Sequence, residues 1–396
     1  MEIISQTISL ISRTTIYGLV FALSLLFINS ADKNAKKSKL KFWVFSIIGL
    51  FIPCLFAALR AETVGTDVLH YAKPYFQLAQ NTSSLVTYLA LGSAEIGYEV
   101  FCFAVAKIFG NFRVFLFCTE LLVILPVYMV AVKNRKEYSM RLVMLSYFCI
   151  FYGASFNFMR QSIAAAFLLL SYFYFVDNKK TRGLILVGLA QSFHNTAIIG
   201  FAMIILGMFY FRIKRKFLRQ LIFILFCGVI VLLIGQWDSI IRTAINYGIF
   251  PARFSTYIDL FSSGANSNSY YFILTGSNFI EFLFRIICYC LPFFIIKTRS
   301  KYNDLYESIN MIVLITVAIY SSLFILFHTS YSVRVTWYTE FFFLVWIPMA
   351  YNTNYVKKSV LSCSLSNLLI VSFLLIYWFV GFMILGWHGT LPFSFL

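Results

Sequence analysis

Long apolar runs alternate with short polar linkers along almost the whole chain. The apolar stretches cover residues 11–28, 42–59, 112–132, 140–176, 183–211, 218–235, 279–296, 309–327, 335–350 and 361–385. Most reach or approach the roughly 20 residues that cross a bilayer as a helix. The first lacks a basic start and an A-x-A-like exit, so it reads as a helix that stays. Residues 99–111 are too short to cross. The segment 95–109 is predicted to be interfacial or re-entrant, and 112–132 to be a single crossing bent near Pro126. Basic clusters flank 140–176 and 183–211 at both ends, so each must leave and return. Their turns are predicted at 157–160 and 191–195, within the membrane depth, where irregular backbone is tolerated only if covered by protein or lining a wet cavity. The pattern predicts an all-α, polytopic integral membrane protein with about twelve crossings. It is read as one membrane domain over 1–396, with an outer loop at 60–98 and a larger one at 236–278.

Composition agrees: 61% of residues are hydrophobic and 12% charged, against about 25% charged in soluble domains. A net charge of +17 could suggest nucleic acid, but its placement argues otherwise. Most Lys and Arg fall in linkers at 33–41, 133–141, 179–182, 212–219, 297–301 and 357–358. Such linkers stay cytoplasmic, so the charge is a topology signal. The eight cysteines lie in apolar segments, form no CxxC pair, and read as packing residues.

The basic residues outside those linkers carry the candidate chemistry. Asn157, Arg160 and Gln161 sit in one of the most apolar parts of the chain. At spacings of three and four they share a helix face, and an intramembrane arginine marks a site by default. On the predicted topology Arg60, Asp67, Glu95, Arg160, His194, Arg242, Arg253, Arg285 and Arg334 all lie outside or near the outer leaflet. Positive-inside bias opposes arginines there. A lipid-linked diphosphate would explain them, because guanidinium bonds phosphate oxygens in bidentate fashion and stabilises the charge on a departing diphosphate. A transferase would also need a base for the attacking hydroxyl, with Asp67, Glu95 and His194 as candidates. Blander readings stand beside these. Arg160 could bind carbonyls at a broken helix end, His194 could be a satisfied structural histidine, and Asp67 could cap a turn. His328 and His388 read as boundary residues, and Arg13 and Glu120 have no assigned role.

Five motifs in order give a resemblance. Arg60 with Val64-Gly65-Thr66-Asp67 and Tyr71 resembles the R…VGTD…Y signature of the EpsG-type polysaccharide polymerase family. Glu95-Ile96-Gly97-Tyr98 is similar to its EPGY segment, with Ile96 in place of proline. Asn157…Arg160-Gln161…Ala164 resembles its N-x-x-RQ-x-x-A stretch. Gln191-Ser192-Phe193-His194 resembles its hairpin ending in histidine, and Arg334…Tyr338…Pro348 its late R…Y…P helix. The resemblance implies a Wzy-like polymerase of the bacterial inner membrane, similar in architecture to multi-spanning lipid-phosphosugar glycosyltransferases. Its substrate would be an oligosaccharide on undecaprenyl diphosphate, joined on the periplasmic face. No cofactor, metal or nucleic acid is implied, and a chain-length regulator is a candidate partner besides membrane lipid. Arg160 and Arg334 are expected on the diphosphate, assisted by Arg60 or Arg285. Asp67 or His194 would handle the acceptor proton. Glu95, Asn157, Gln161 and Tyr338 complete the expected substrate contacts. An O-antigen ligase, a flippase for the same lipid-linked sugar, and a non-catalytic assembly partner are the rival readings.

Overall fold

The computed structural model describes residues 2–65, 67–92, 94–248, 277–295, 304–327, 331–351, 360–390 and 393–395. The first two apolar runs form α1 (Glu2–Asn34) and α2 (Lys39–Ala58). Ser38 opens α2, its hydroxyl accepting from the Lys41 N–H at 3.3 Å, one of the donors that a helix start leaves without a partner. Pro53 lies inside α2 and has no N–H to offer the carbonyl of Gly49. Ser24 of α1 supplies the donor instead, Oγ to Gly49 O at 2.6 Å. Gly49 also lacks a Cβ where Ile28 of α1 approaches, so a small residue and a borrowed hydroxyl fix how the two helices meet.

Residues 60–98, expected as a polar loop, are largely helical. A π turn (Val68–Ala72) leads into α3 (Lys73–Asn81), and α4 (Leu85–Leu91) follows. Phe76 and Ala79 of α3 are buried, and that three-residue spacing puts them on one face of a short amphipathic helix. Next come α5 (Ile96–Phe109) and α6 (Phe112–Lys133). Gly110 stops α5 in the left-handed region at φ +61°, and Asn111 starts α6 by accepting from Arg113 N–H at 2.8 Å. The run 140–176 breaks where its polar residues predicted. It becomes α7 (Met140–Ser146), a π turn (Tyr147–Phe151), a 3-10 turn (Ala154–Phe156) and α8 (Met159–Val176). The run 183–211 likewise breaks between α9 (Lys180–Phe193) and α10 (Ala197–Phe209).

The remaining helices are α11 (Lys216–Gly235), α12 (Trp237–Asn246), α13 (Ser277–Ile295), α14 (Asp304–Phe327), α15 (Tyr331–Glu340), α16 (Phe343–Tyr351) and α17 (Val360–Trp378). Most of the loop expected at 236–278, with Arg253, lies outside the described residues, as do His328 and the basic clusters at 297–301 and 357–358. Arg334, expected in a turn, sits inside α15. Among the described residues the one β contact is an antiparallel bridge between Arg60 and Phe395.

Among the described residues six helices are long and apolar enough to cross a membrane: Thr15–Asn34, Lys39–Ala58, Phe112–Lys133, Met159–Val176, Phe217–Gly235 and Glu307–Leu326. Shorter apolar helices are Met140–Phe151, Ala197–Phe209 and Leu368–Ile384. The legs expected on either side of the turns at 157–160 and 191–195 form helices mostly shorter than a full span, so the six are fewer than the about twelve crossings expected. Burial differs sharply among the six. Met159–Val176 is 72% buried and Phe217–Gly235 only 11%, so α8 is a central helix of its unit and α11 a peripheral one.

The chain divides into two compact units, residues 1–198 with 343–396, and residues 199–342. In the first, the broken α7 segment packs against α1, α6, α16 and α17. Tyr17, Phe21, Phe56, Tyr152 and Phe393 form its aromatic centre. In the second, buried Met203, Leu206, Ile230, Ile315, Ile319 and Val335 of α10, α11, α14 and α15 make one apolar cluster.

Candidate functional site

The site in the first unit starts from two chain segments that fit only because one residue lacks a side chain. Gly65 adopts φ +92°, and a Cβ there would lie 3.0 Å from the Phe156 carbonyl oxygen and 3.2 Å from Asn157 Oδ1. Glycine adopts that backbone at no steric cost, so the Val64-Gly65 turn lies directly on the break before α8. Asn157 is buried and donates from Nδ2 to the carbonyl of His388. The Gly65 N–H donates to the Gly389 carbonyl at 3.3 Å, and Ala61 N–H to that of Ser394 at 2.7 Å. The carboxy-terminal segment thus lies against both, with the His388 ring 5.2 Å from that of Phe158.

Glu95 is the centre of the polar cluster. It precedes α5 with extended backbone but does not cap its own helix. Glu99 of the first turn reaches back and accepts from the Ala94 N–H at 2.8 Å, fixing the chain just before the helix. The Glu95 carboxylate turns outward instead. Its Oε2 accepts from Arg160 Nη1 at 2.5 Å, its Oε1 from the Asn195 N–H at 3.2 Å, and His194 Nδ1 stands 3.7 Å from Oε1. Gly97 makes this approach possible, because a Cβ there would come within 2.8 Å of the Ser192 carbonyl oxygen. His194 Nδ1 also lies 3.1 Å from the Thr196 hydroxyl. The Glu95 side chain is 9% exposed, against 21% for Arg160 and 23% for His194, so the carboxylate lies beneath groups that a ligand can reach.

Tyrosines frame Arg160. Its guanidinium carbon lies 5.5 Å from the Tyr98 ring and 6.0 Å from that of Tyr71. Burial drives the Tyr98 hydroxyl strongly towards its neutral form. Cys102 acts in the same sense, Arg160 opposes it, and Asp67 adds to it. Asp67, half-buried ahead of the π turn, therefore shares this neighbourhood. Gln161 is buried in the first turn of α8. Glu95, Arg160, His194, Asp67, Asn157 and Gln161 are all drawn to the loops and helix starts around this break.

Arg60 is placed differently from expectation. It is 2% exposed, donates from Nη1 to the Ala57 carbonyl at 3.0 Å, and lies face-on 3.9 Å above the Phe156 ring. Burial pushes its pKa down to about 10, opposed chiefly by the charge of Glu120. Glu120, which had no sequence reading, is a buried carboxylate whose charge acts on Arg60 without a direct ion pair. Its oxygens accept from Tyr147 OH at 2.5 Å and Ser155 Oγ at 2.9 Å. This network props up the broken segment from below, on the side away from solvent.

In the second unit Arg285 is also buried. It pairs with Glu340 at 3.4 Å, and Glu340 accepts from the Thr336 hydroxyl at 2.6 Å. Thr316 donates to Thr339 at 2.8 Å, tying α14 to α15. Tyr338 is fully buried, whereas Arg334, four residues before it on α15, is part-exposed. Glu120 and Glu340 were the missed acids. Each was visible as a carboxylate inside an apolar run, the signal that an intramembrane arginine must be matched. Among the described residues no group of three His, Cys, Asp or Glu is placed to hold a metal ion.

Comparison with known proteins adds one match. The family model described as "EpsG family" matches residues 42–395, most of the chain. No curated protein matches, and no solved structure does.

Proposed function

The chain belongs to the EpsG family, which includes Wzy-like polymerases, and on that premise we propose that this membrane polysaccharide-biosynthesis protein is itself a polymerase. It joins oligosaccharide repeat units carried on undecaprenyl diphosphate at the periplasmic face of the bacterial inner membrane. About twelve crossings, some as short re-entrant legs, would bring 60–98 and 236–278 to that face. A chain-length regulator would act beside it.

The observation that carries this reading is the Glu95–Arg160–His194 cluster at the break before a largely buried apolar helix. It sets a phosphate-binding guanidinium beside two proton acceptors. In the reaction, a sugar hydroxyl of the incoming unit attacks the anomeric carbon of the growing chain. The bond from that carbon to the diphosphate oxygen breaks, and the diphosphate leaves with the bonding electrons. Arg160 meets the charge that develops on it. The hydroxyl proton passes to the Glu95–His194 pair. Asp67 orients the acceptor, and Asn157 and Gln161 hold the start of α8. Arg285 holds a buried carboxylate rather than the diphosphate, and Arg60 is buried against Phe156 and the Ala57 carbonyl. No metal enters this chemistry.

The test is purified protein given only lipid-linked repeat units. Polymer of graded length supports the proposal. Product formed only when a lipid A-core acceptor is added would identify a ligase, and transport of the lipid without bond formation a flippase.

A further inference from the structure

The basic linkers read as topology signals also meet in space. Lys39 at the start of α2, Lys133 at the end of α6, and Arg135 and Lys136 just beyond it line a single concavity of about 400 Å3, together with Phe42 and Trp43. Asp177 pairs with Lys133 and stands 3.7 Å from Lys179. Two other acids lie close in sequence, Asp32 near the end of α1 and the exposed Glu137. The lining keeps a positive excess. Arg135 sits 5.8 Å over the Phe42 ring, which orients its planar fork.

An apolar track begins at the same site. Leu40, Trp43, Ile47 and Phe51 are exposed at 75%, 49%, 62% and 49%. Spacings of three and four put them on one face of α2. Trp43 stands at the head of that face, where an aromatic marks the membrane–water boundary. A free anion would use the cations and leave the track unused. A molecule with a phosphate head and acyl chains would use both.

We propose that this concavity binds an anionic phospholipid of the leaflet facing the basic linkers, with the phosphate among Lys39, Arg135 and Lys136 and an acyl chain along α2. The site is separate from the residues assigned to polymerisation, so it stands whether or not that reading holds.

Native mass spectrometry of the full-length protein in detergent, titrated with phosphatidylglycerol or phosphatidylcholine, tests this. Phosphatidylglycerol is expected to be retained in preference to phosphatidylcholine. Lys39→Ala with Lys136→Ala is expected to weaken its retention roughly thirtyfold, about fivefold for each lysine near a membrane surface. Both side chains are exposed, and elution volume confirms that the fold is kept. Lys36→Ala with Lys37→Ala removes the same amount of charge from the 33–41 linker at two exposed positions that do not line the concavity, and should weaken retention less than about threefold. Equal retention of the two lipids, or equal losses in the two double variants, would overturn the proposal. Displacement of phosphatidylglycerol by millimolar inorganic phosphate would do so too, because the site would then be one for free phosphate.

Discussion

Exchanging Glu95 for glutamine should separate binding from turnover. Arg160 is held by the Glu95 carboxylate at 2.5 Å, so an arriving diphosphate must take the guanidinium from it. Glutamine keeps the shape and the acceptor for the Asn195 N–H but removes the charge. Two unit charges about 4 Å apart, as in such a contact, interact by ~4 kcal/mol at an effective dielectric near 20. Partial exposure of both side chains lowers this to ~1–2 kcal/mol, and Glu95→Gln should therefore bind undecaprenyl diphosphate roughly 5–30-fold more tightly. The same change removes the charge that makes His194 a base. Turnover should fall by about 10²–10⁴. Binding is measured by ligand titration in nanodiscs, turnover by the rate at which a polymer ladder forms, and fold by thermal unfolding. If affinity fell together with turnover at unchanged melting temperature, the pair would be scaffolding and not a latch. Full turnover would remove Glu95 from the proton path.

Arg160→Lys keeps the charge but loses the fork, and should cost about 10² in polymer formation; wild-type ladders from membrane-inserted protein would end the diphosphate role. Gly97→Ala places a Cβ 2.8 Å from the Ser192 carbonyl oxygen, which should destabilise by about 1–3 kcal/mol and move His194 away from Glu95; an unchanged melting temperature and rate would show that the two turns do not need this contact. Glu120→Ala removes the acceptor that the buried Tyr147 and Ser155 hydroxyls share and should cost about 2–5 kcal/mol. Arg60→Met combined with Glu120→Gln should lose less than the sum of the two single changes, and strict additivity in thermal unfolding would show that the two do not interact.

The break that carries the site was legible because its signal lies in side chains. Asn157, Arg160 and Gln161 stand out against an apolar run, and the structure breaks α7 from α8 there. The short turn ending at His194 was legible for the same reason. Which arginine meets which acid was not. Hydropathy places Arg60 near the end of a helix but cannot see that its side chain is buried against Phe156, far along the chain, with the carboxylate of Glu120 close enough to act on its charge. Arg285 and Glu340 repeat the case. The contribution of 387–395 left almost no sequence trace. It is held largely by backbone bonds, Gly389 O to Gly65 and Ser394 O to Ala61, and a backbone bond does not require a particular side chain.

That tail has a consequence for biosynthesis. The Tyr17 hydroxyl of the first helix donates to the carbonyl of Thr390, 373 residues later, and Phe393 stacks on Phe56 of the second at 4.0 Å. At about 5–20 residues per second, synthesis takes roughly 20–75 s to join those ends. Until then the Gly65 turn and Asn157 wait for the carbonyls that close over them. A chain interrupted before residues 387–395 would have its earlier helices inserted but its site unfinished, so the site closes only when a segment made long after its first half arrives.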